Sequence, residues 1–368
     1  MTVLTVNSGS SSIRLAAFTY HGDTLTELAN VRHALDGSEP QAVLREFVQT
    51  HGLTAIAAVA HRVVHGGAHF TTSCLLDQEV EREIEHLAPL APLHNPTALR
   101  WIRATREVLG TGVAQVAVFD TAFFTALPEV ARTYAIPHAV AQKYALHRYG
   151  FHGLAHQALW SRWRELRPDV PDGGRVISFQ LGAGCSVTAI DRGRPLDTSM
   201  GFSPLAGLVM ATRSGDVDPG LVTFLQRVEG LSTEDMERLL NECSGLLGIS
   251  GLSGDMRVLL ASDASGARLA VALYCYRARK YLGAYLAVLG GADAILFGGG
   301  VGENAAVVRA GILEGLDWAG MRLDAAANAA AVGREGRISD TDSRIEAWVI
   351  PVDEARILAQ EALAAITV

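Results

Sequence analysis

The sequence is poor in cysteine: its 368 residues include four, Cys74, Cys185, Cys243 and Cys275, and none forms a CxxC pair. This spacing argues against a disulfide framework and against a cysteine-based zinc site, and it predicts reduced, buried thiols. The sequence also lacks the features of a signal peptide, because a strand pattern begins at the second residue without a basic segment before it. We therefore expect a cytoplasmic protein.

Long uninterrupted apolar runs are absent too. The most apolar late segment, 281–297, contains paired glycines and Asp293, which is not the pattern of a membrane span. An excess of positive charge is also missing, since the formal net charge is −8. Binding to nucleic acid depends on dense Lys and Arg. The composition therefore predicts neither a nucleic-acid partner nor a membrane partner, and any nucleotide site must be locally basic.

Three separate stretches place small, hydrogen-bonding residues directly after apolar, β-branched runs. They are NSGSSS at 7–12, QLGAGCS at 180–186 and FGGGVGEN at 297–304. Glycine lets backbone N–H groups approach a phosphate closely, and serine hydroxyls rotate to donate to it. Together the three loops predict a nucleotide held at strand tips. A helix predicted at 304–313 would bring its positive N-terminus to the same ligand.

The chain repeats one pattern of strands. A hairpin is predicted within 2–18 and again within 175–191, and such a repeat indicates a duplicated domain in an α/β protein. Helices are predicted at 97–109, 152–166, 233–241, 266–289 and 354–365. We expect an N-terminal domain at 1–122, joined by a C-terminal helix at 355–368, and a C-terminal, nucleotide-binding domain at 123–354.

Arginine and histidine recur beside glycine in HRVVHGGAH at 61–69, RYGFHGLAH at 148–156 and ATRSGDVDP at 211–219. Loop arginines beside small residues suit the bidentate capture of carboxylate or phosphate. Taken singly, each arginine could equally be a solvated surface residue. The joint pattern favours an anion site.

A metal site is the next question. Two pairs of histidines are spaced four residues apart, His61 with His65 and His152 with His156. Neither pair has the glutamate of an HExxH motif, so zinc is the weaker interpretation, and Mg²⁺ on hard oxygen ligands is favoured. Asp120 and Glu354 each follow an apolar strand and are candidate ligands, although Asp120 could instead cap a helix.

Nine motifs, in their order and context, resemble those of the acetate kinase family. They are NSGSSSIR, AHRVVHGG, APLHNP, FDTAF, RYGFHG, DTSMGFSPLAGL, TRSGDVDP, SGLLGISGLSGDMR and GGGVGEN, and they span essentially the whole chain. The resemblance implies the superfamily of sugar kinases, the Hsp70 ATPase and actin, with two duplicated RNase H-like (actin-like ATPase) domains and a nucleotide cleft between them. It also implies a cytoplasmic, Mg²⁺-dependent homodimer, with Mn²⁺ as an expected substitute, that makes acetyl phosphate from ATP and acetate.

The resemblance also assigns site residues. Catalysis would fall to Arg62 and Arg213 at the substrate carboxylate and phosphoryl group, to His152 as a transition-state stabiliser, to His94 nearby, and to Asp120 near the metal. The metal ligands would be Asn7 and Glu354, and Val64, Leu93, Phe151 and Pro204 would join Arg62 around the substrate. The nucleotide-binding residues would be Ser10, Ser12, Arg14, Gly182, Ala183, Gly184, Asp255, Met256, Arg257, Gly299, Gly300, Val301, Gly302 and Asn304.

Four positions depart from the family pattern. Gln180 and Ala183 replace a histidine and an asparagine of a phosphate loop, Phe124 replaces a histidine, and Arg14 replaces a lysine. At about 1.5 to 3 kcal/mol for each hydrogen bond to a charged group, the lost donors predict a weaker grip on phosphate. Two alternatives stay open: a nucleotide-binding module with weakened turnover, because of Gln180 and Ala183, and a propionate or other short-chain acyl kinase, because Val64 is small but not minimal.

Overall fold

The computed structural model describes residues 1–9, 12–22, 24–34, 37–92 and 94–367. Two predicted site residues, Ser10 and Leu93, lie outside the described residues. By internal contacts the chain divides into two compact units. The first unit comprises Met1–Thr125, Phe151–Ala158 and Asp353–Val368, and the second comprises Ala126–Gly150 and Leu159–Val352. The sequence-based domain boundary at 122/123 stays a prediction.

Each unit contains one six-stranded sheet. The strands of the first are β1 (Thr2–Ser8), β2 (Ser12–His21), β3 (Thr24–Ala34), β4 (Ile56–Val63), β5 (Cys74–Leu75) and β6 (Ala114–Phe119). Those of the second are β7 (Arg175–Leu181), β8 (Cys185–Asp191), β9 (Arg194–Thr198), β10 (Ala294–Gly298), β11 (Gly336–Arg337) and β12 (Glu346–Val349).

Helices flank both sheets. In the first half of the chain they are α1 (Pro40–Thr50), α2 (Gln78–His86), α3 (Asn95–Leu109), α4 (Glu129–Arg132), α5 (His138–Lys143) and α6 (Gly153–Leu166). Then follow α7 (Pro219–Glu229), α8 (Thr233–Glu242), α9 (Gly245–Ser250), α10 (Met256–Leu260), α11 (Ser265–Leu289), α12 (Gly299–Asn304), α13 (Ala306–Leu313), α14 (Ala325–Ala330) and α15 (Glu354–Thr367).

The two sheets have the same topology. The strand order is β3-β2-β1-β4-β6-β5 in the first and β9-β8-β7-β10-β12-β11 in the second. In each, three antiparallel strands are followed by two strands parallel to the first, and a short antiparallel strand closes the edge. The repeated hairpin in the sequence therefore corresponds to a repeated sheet.

The core of the first unit is built on β1. Its residues from Val3 to Ser8 are all buried, and since alternate residues face opposite sides of a sheet, both faces must be covered. Helices α1 and α3 bury Phe47 and Trp101 in one apolar cluster with β1, and α15 packs on β1, β4 and β6. The C-terminal helix thus belongs to the first sheet, which places Glu354 at the start of a helix in this unit.

The core of the second unit is built on α11, which packs along β7, β8 and β9. Its buried residues follow helical spacing: Ala267, Ala270, Tyr274, Ala278, Leu282, Tyr285 and Leu289. On the sheet, the rings of Phe179 and Phe297 stack with centroids 5.3 Å apart and join β7 to β10. Across the described ranges, no helix combines the length and apolar character needed to cross a bilayer.

Two expectations need correction. The helix predicted at 304–313 was wrong in its start: the glycine run itself forms α12, the chain breaks at Ala305, and α13 follows. The expected burial of the thiols holds for Cys185 and Cys275, but Cys243 is exposed because it lies just beyond the C-terminus of α8.

Candidate active site

An ion pair lies where β4 and β6 end in the first unit. The guanidinium of Arg62 contacts the Asp120 carboxylate with three hydrogen bonds, the shortest being 2.6 Å from Nη2 to Oδ2. Burial disfavours the charged form of Arg62, but the charges of Asp120 and Glu354 outweigh it and raise its pKa. Burial raises the pKa of Asp120, and the Arg62 charge opposes that rise. The three hydrogen bonds between the two groups favour the ionised form of each.

Asn7 extends this pair to the C-terminal helix. Its Oδ1 accepts from Nη1 of Arg62 at 3.2 Å, and its Nδ2 donates to Oε2 of Glu354 at 2.6 Å. A continuous chain therefore runs from Asp120 through Arg62 and Asn7 to Glu354. One amide oxygen and two carboxylates are the hard oxygen donors that Mg²⁺ prefers. In the described part of the chain, no three His, Cys, Asp or Glu side chains form a metal cluster, so the amide is needed to complete such a set.

His152 lies against Asp120 and has an uncommon backbone conformation. Its φ is 59°, a left-handed conformation that costs a non-glycine residue free energy and is often found at functional sites. Its N–H donates to the Asp120 carboxylate. The next residue, Gly153, begins α6 and packs on the Asp120 backbone. The FHG sequence thus fixes the position of His152 relative to Asp120.

The loop after β4 is positioned by residues that the sequence reasoning missed. Asn95, the first residue of α3, accepts from the His65 N–H at 3.2 Å and donates to the His65 carbonyl at 3.0 Å. The hydroxyl of Thr121 accepts from the Gly66 N–H at 3.0 Å. Both residues lie inside recognised motifs, APLHNP and FDTAF, and that membership was the available signal.

The expected substrate residues of the first unit lie around this loop. Val64 is buried at its start, and the ring of Phe151 is buried against the ring of His65, with centroids 5.5 Å apart. His94 precedes α3 and is partly buried. The departure at Phe124 is a packed core residue, because its ring meets the rings of Phe123 and His156 edge to face. Phe124 therefore contributes packing rather than a polar group.

The loop between β1 and β2 is the first of the stretches predicted to bind phosphate. The Gly9 N–H donates to the Ser12 carbonyl at 2.9 Å, and Nε of Arg32 donates to the Ser12 hydroxyl at 3.0 Å. Arg32 on β3 is directly opposite Arg14 on β2. Like charges placed opposite each other repel, and an anion bound between them would relieve the repulsion. Arg32 is a third residue that sequence reasoning missed, after Asn95 and Thr121.

In the second unit, the β7–β8 hairpin ends in the second glycine turn. The Gly182 N–H donates to the Gly184 carbonyl, and the Ala183 carbonyl accepts from the Ala211 N–H, each at 3.0 Å. Ala183 itself is exposed at the tip. Gln180, at the base of the turn, has a buried Oε1 without a hydrogen-bond partner among the described residues. Main-chain hydrogen bonds therefore hold the backbone of this turn.

Arg213 lies close to this turn. Its Nη1 donates to the Pro204 carbonyl at 3.2 Å, which brings together two residues assigned to the substrate. Burial lowers the pKa of Arg213, and no carboxylate of the described residues opposes that shift. A Cβ at Gly245 would lie 2.7 Å from the Arg213 carbonyl oxygen, so only glycine fits there. Arg213 is thus a well-positioned cation without an acidic partner in the described structure.

The third glycine loop lies beside the hairpin tip. A Cβ at Gly299 would lie 2.7 Å from the Leu181 carbonyl oxygen, so glycine allows the two turns to touch. The first N–H of α12, from Gly299, is taken by the Glu303 carboxylate at 3.0 Å. The prediction placed a helix N-terminus after the glycine run, at 304–313, whereas the helix within the run, α12, has its first N–H engaged by a carboxylate of its own. Gly300 is exposed, and a Cβ there would meet no atom within 4 Å.

Asp255 and Arg257 form an exposed ion pair at the start of α10. Asp255 caps the helix by accepting from the Arg257 N–H, and the Arg257 guanidinium returns to the same carboxylate at 2.5 Å. The pair lowers the pKa of Asp255 and raises that of Arg257. Met256, between them, is buried. The preceding Gly254 packs on the Ala211 carbonyl, so this pair adjoins the Arg213 turn.

Two units of one topology, with glycine turns, half-buried arginines and a set of oxygen donors, define a phosphoryl-transfer class of α/β protein. The model of the Acetokinase family matches residues 38–360. An acetate kinase from Solibacter usitatus is 49% identical over 317 residues, covering 85% of this chain and 77% of that protein. The chain therefore belongs to the Acetokinase family.

Solved structures agree with this membership. The crystal structure of an acetate kinase from Porphyromonas gingivalis has a TM-score of 0.89 and 36% identity, with 99% of both chains covered. A propionate kinase from Francisella tularensis has a TM-score of 0.89 and 33% identity, again with 99% of both chains covered. The predicted family, the α/β class and the prediction of a kinase are confirmed by these matches.

Proposed function

We propose that this chain is an ATP:acetate phosphotransferase that reversibly transfers the γ-phosphoryl group of ATP to acetate, giving acetyl phosphate and ADP. The relatives named acetate kinase support this assignment over most of the chain. The observation that carries it is the hydrogen-bonded chain from Asp120 through Arg62 and Asn7 to Glu354. It holds an anion-binding guanidinium beside the oxygen donors that a phosphate-bound cation requires.

The proposed reaction needs charge compensation more than proton transfer. Acetate is already ionised at pH 7, so its oxygen attacks the γ-phosphorus without a general base. The new bond joins that oxygen to phosphorus, and the bond to the bridging oxygen of ADP breaks. Two anions must be brought together, and negative charge spreads over the equatorial oxygens of the transferring group.

We assign that compensation to three residues. Arg62 would orient the acetate carboxylate, because among the described residues its Nη1 is engaged by the neutral amide of Asn7 alone while Asp120 holds its other side. Arg213 would meet the phosphoryl oxygens, since no acidic partner neutralises it in the described structure. His152 would donate a hydrogen bond in the transition state, with His94 assisting.

The residues present fit a bound Mg²⁺. Asn7, Asp120 and Glu354 would hold the ion or its waters, and Mn²⁺ is an expected substitute. When bound, the cation would neutralise charge on the phosphates. We assign Asp120 the role of a ligand group and not of a base, because the hydrogen bonds from Arg62 orient its carboxylate and favour its ionised form.

The donor would be ATP. Gly182, Ala183 and Gly184 are proposed to receive its phosphates in the second unit. Ser12 and Arg14, on β2, are proposed phosphate-binding residues of the first unit. The loop Gly299 to Asn304 would receive the adenosine, because the Glu303 carboxylate on its first N–H disfavours phosphate there. The pair of Asp255 and Arg257 would border the same nucleotide.

A second candidate acceptor is propionate, because a propionate kinase has the same TM-score as an acetate kinase. The proposed substrate residues Val64, Phe151 and Pro204 are all apolar, and one added methylene changes binding to such residues by about 1 to 3 kcal/mol. We also propose a cytoplasmic homodimer without a nucleic-acid partner. The support is the whole-chain likeness to the family.

The test is a hydroxylamine trap for acyl phosphate, run with ATP, Mg²⁺ and acetate, propionate or butyrate in parallel. The expected order of kcat/KM is acetate, then propionate, then butyrate. Product from none of the three acids would overturn the kinase assignment in favour of a binding module with weakened turnover. A higher kcat/KM for propionate would replace the proposed acceptor and retain the enzyme class.

A further inference from the structure

Arg309, on α13, is an arginine whose charge is completely buried. Its side chain has no exposed surface, and within the described ranges no carboxylate contributes to its electrostatics. Burial lowers its pKa to about 10, so the guanidinium is still charged at pH 7. Burying an unpaired charge is costly unless every polar atom is hydrogen-bonded. The partners of this guanidinium therefore indicate what it stabilises.

All five N–H groups of Arg309 have an acceptor, and four of the five acceptors are main-chain carbonyls. Nη1 donates to the carbonyls of Gly302 and Glu303 at 2.8 and 3.1 Å. Nε donates to Oδ1 of Asn328 at 2.8 Å. Nη2 donates to the carbonyls of Asn328 and Ala331 at 2.7 and 3.3 Å. The guanidinium thus binds the C-terminal end of α12 to α14.

This contact explains the break between α12 and α13. A helix C-terminus carries partial negative charge and unpaired carbonyls, and a cation stabilises it. Arg309 supplies that cation to Gly302 and Glu303 from the following helix, so the chain turns at Ala305 instead of continuing as one helix. The turn gives the glycine loop its shape.

Further hydrogen bonds stabilise the parts of the loop that Arg309 does not contact. The Glu303 carboxylate accepts from Gly299 and Val352, and Asn304 Nδ2 donates to the Gly300 carbonyl. Asn328, held by Arg309, donates in turn to the Ala306 carbonyl at 2.9 Å. Arg309 does not reach the exposed side of the loop, where Gly300 is open. Arg309 therefore contacts the buried side of the loop, opposite the side that is open to a ligand.

We infer that Arg309 is the positioning residue of the nucleotide-binding loop, and that it holds residues 299–304 in their binding shape before the nucleotide arrives. This inference rests on the proposed assignment of that loop to adenosine. Without Arg309, the loop would become ordered only when ATP binds. The free-energy cost of that ordering would then weaken the binding of ATP. The KM for ATP would rise, whereas the KM for acetate would stay the same.

The experiment compares Arg309→Lys, Arg309→Ala and the unsubstituted protein in steady-state kinetics, at a temperature where circular dichroism shows each to be folded. Lysine keeps the charge but has three N–H donors for five acceptors. We expect the KM for ATP to rise about tenfold in Arg309→Lys and more in Arg309→Ala, because lysine can satisfy at most three of the five acceptors and alanine none. Added guanidinium at millimolar concentration should partly restore the KM of Arg309→Ala.

Arg279→Met is the matched control. Arg279 also donates to a main-chain carbonyl, that of Gly311, but it does not contact the glycine loop. We expect a lower melting temperature for this variant with an unchanged KM for ATP. An unchanged KM for ATP in both folded Arg309 variants, or a rise that Arg279→Met shares, would overturn the inference. If instead the unsubstituted protein forms no acyl phosphate, the proposed function fails, and direct binding of ADP to the same variants tests the role of Arg309.

Discussion

Gly153 packs directly on the main chain of Asp120: a Cβ at Gly153 would lie 2.0 Å from the Asp120 carbonyl oxygen and 2.8 Å from the Phe123 Cβ. The contact joins the helix that begins after His152 to the strand end that carries the buried carboxylate. It allows the His152 N–H to reach that carboxylate. Two of the proposed catalytic residues are therefore positioned by a residue without a side chain.

The substitution Gly153→Ala should consequently separate His152 from Asp120. Because the obstacle is backbone and not a flexible side chain, we expect a loss of about 2 kcal/mol or more in the free energy of unfolding and a large fall in kcat. Gly283→Ala, in the middle of α11 with no atom within 4 Å of the added Cβ, is the control. It should stabilise the protein by about 0.5 to 1 kcal/mol. Urea unfolding and acyl phosphate formation measure both effects, and a fully active Gly153→Ala would contradict the expectation.

Substitutions of Arg62 and Arg213 should affect the stability of the protein differently, although both should lower turnover. Arg62→Ala leaves the Asp120 carboxylate, 1% exposed, without its cation, which costs about 3 to 5 kcal/mol of unfolding free energy. Arg213→Ala removes a charge that has no acidic partner in the described structure, so the stability should change little. Each should lower kcat by a factor of about 100 or more. Equal melting temperatures for the two variants would show that the ion pair does not stabilise the fold.

Two buried histidines predict a loss of stability in acid. Burial lowers the pKa of His61 and of His156 to about 3, whereas the unfolded chain titrates near 6.5. Below pH 6.5 the unfolded state binds more protons than the folded state, so the free energy of unfolding decreases as the pH falls. The slope approaches about 1.4 kcal/mol per pH unit for each histidine. Above pH 6.5 this contribution is constant.

The test for this pH dependence is His61→Gln, whose Nε2 can replace the ring nitrogen that bonds Oε1 of Gln115 at 2.8 Å. Denaturant unfolding at pH 7 and at pH 5 should show a smaller decrease for the variant than for the unsubstituted protein. Identical decreases would mean that His61 does not titrate on unfolding in this range.

The proposed metal site predicts that substitution of Glu354 changes the Mg²⁺ requirement more than it changes folding. Glu354→Gln removes the negative charge but keeps an oxygen for the Asn7 amide, so the Mg²⁺ concentration for half-maximal activity should rise about tenfold or more, with little change in folding. Glu361→Gln is the control, because Glu361 lies on the same helix and binds the Ser73 hydroxyl at 2.6 Å. Titration with Mg²⁺ after EDTA treatment measures both. If both variants needed the same Mg²⁺ concentration for half-maximal activity, Glu354 would not be a metal ligand.

The sequence allowed much of the site to be predicted because its residues are in contiguous motifs. Glycine and serine after a β-branched run have few structural alternatives, and the repeated hairpin predicted the repeated sheet. Residues whose function depends on packing were harder to recognise. Nothing in the local sequence distinguishes Arg309 from an exposed helical arginine, because its acceptors lie in two separate segments, the C-terminal ends of α12 and of α14.

By itself, the sequence determined the α/β class, the duplication, the family and the identity of the candidate groups, because all of these depend on patterns local to the chain. Tertiary structure alone decided which groups meet: Arg62 with Asp120, Asn7 with Glu354 from the other end of the chain, and Gly299 with the β7–β8 turn. Those contacts join residues far apart in sequence. They arise from strand order and from burial, and composition and spacing do not encode which side chains share a hydrogen bond.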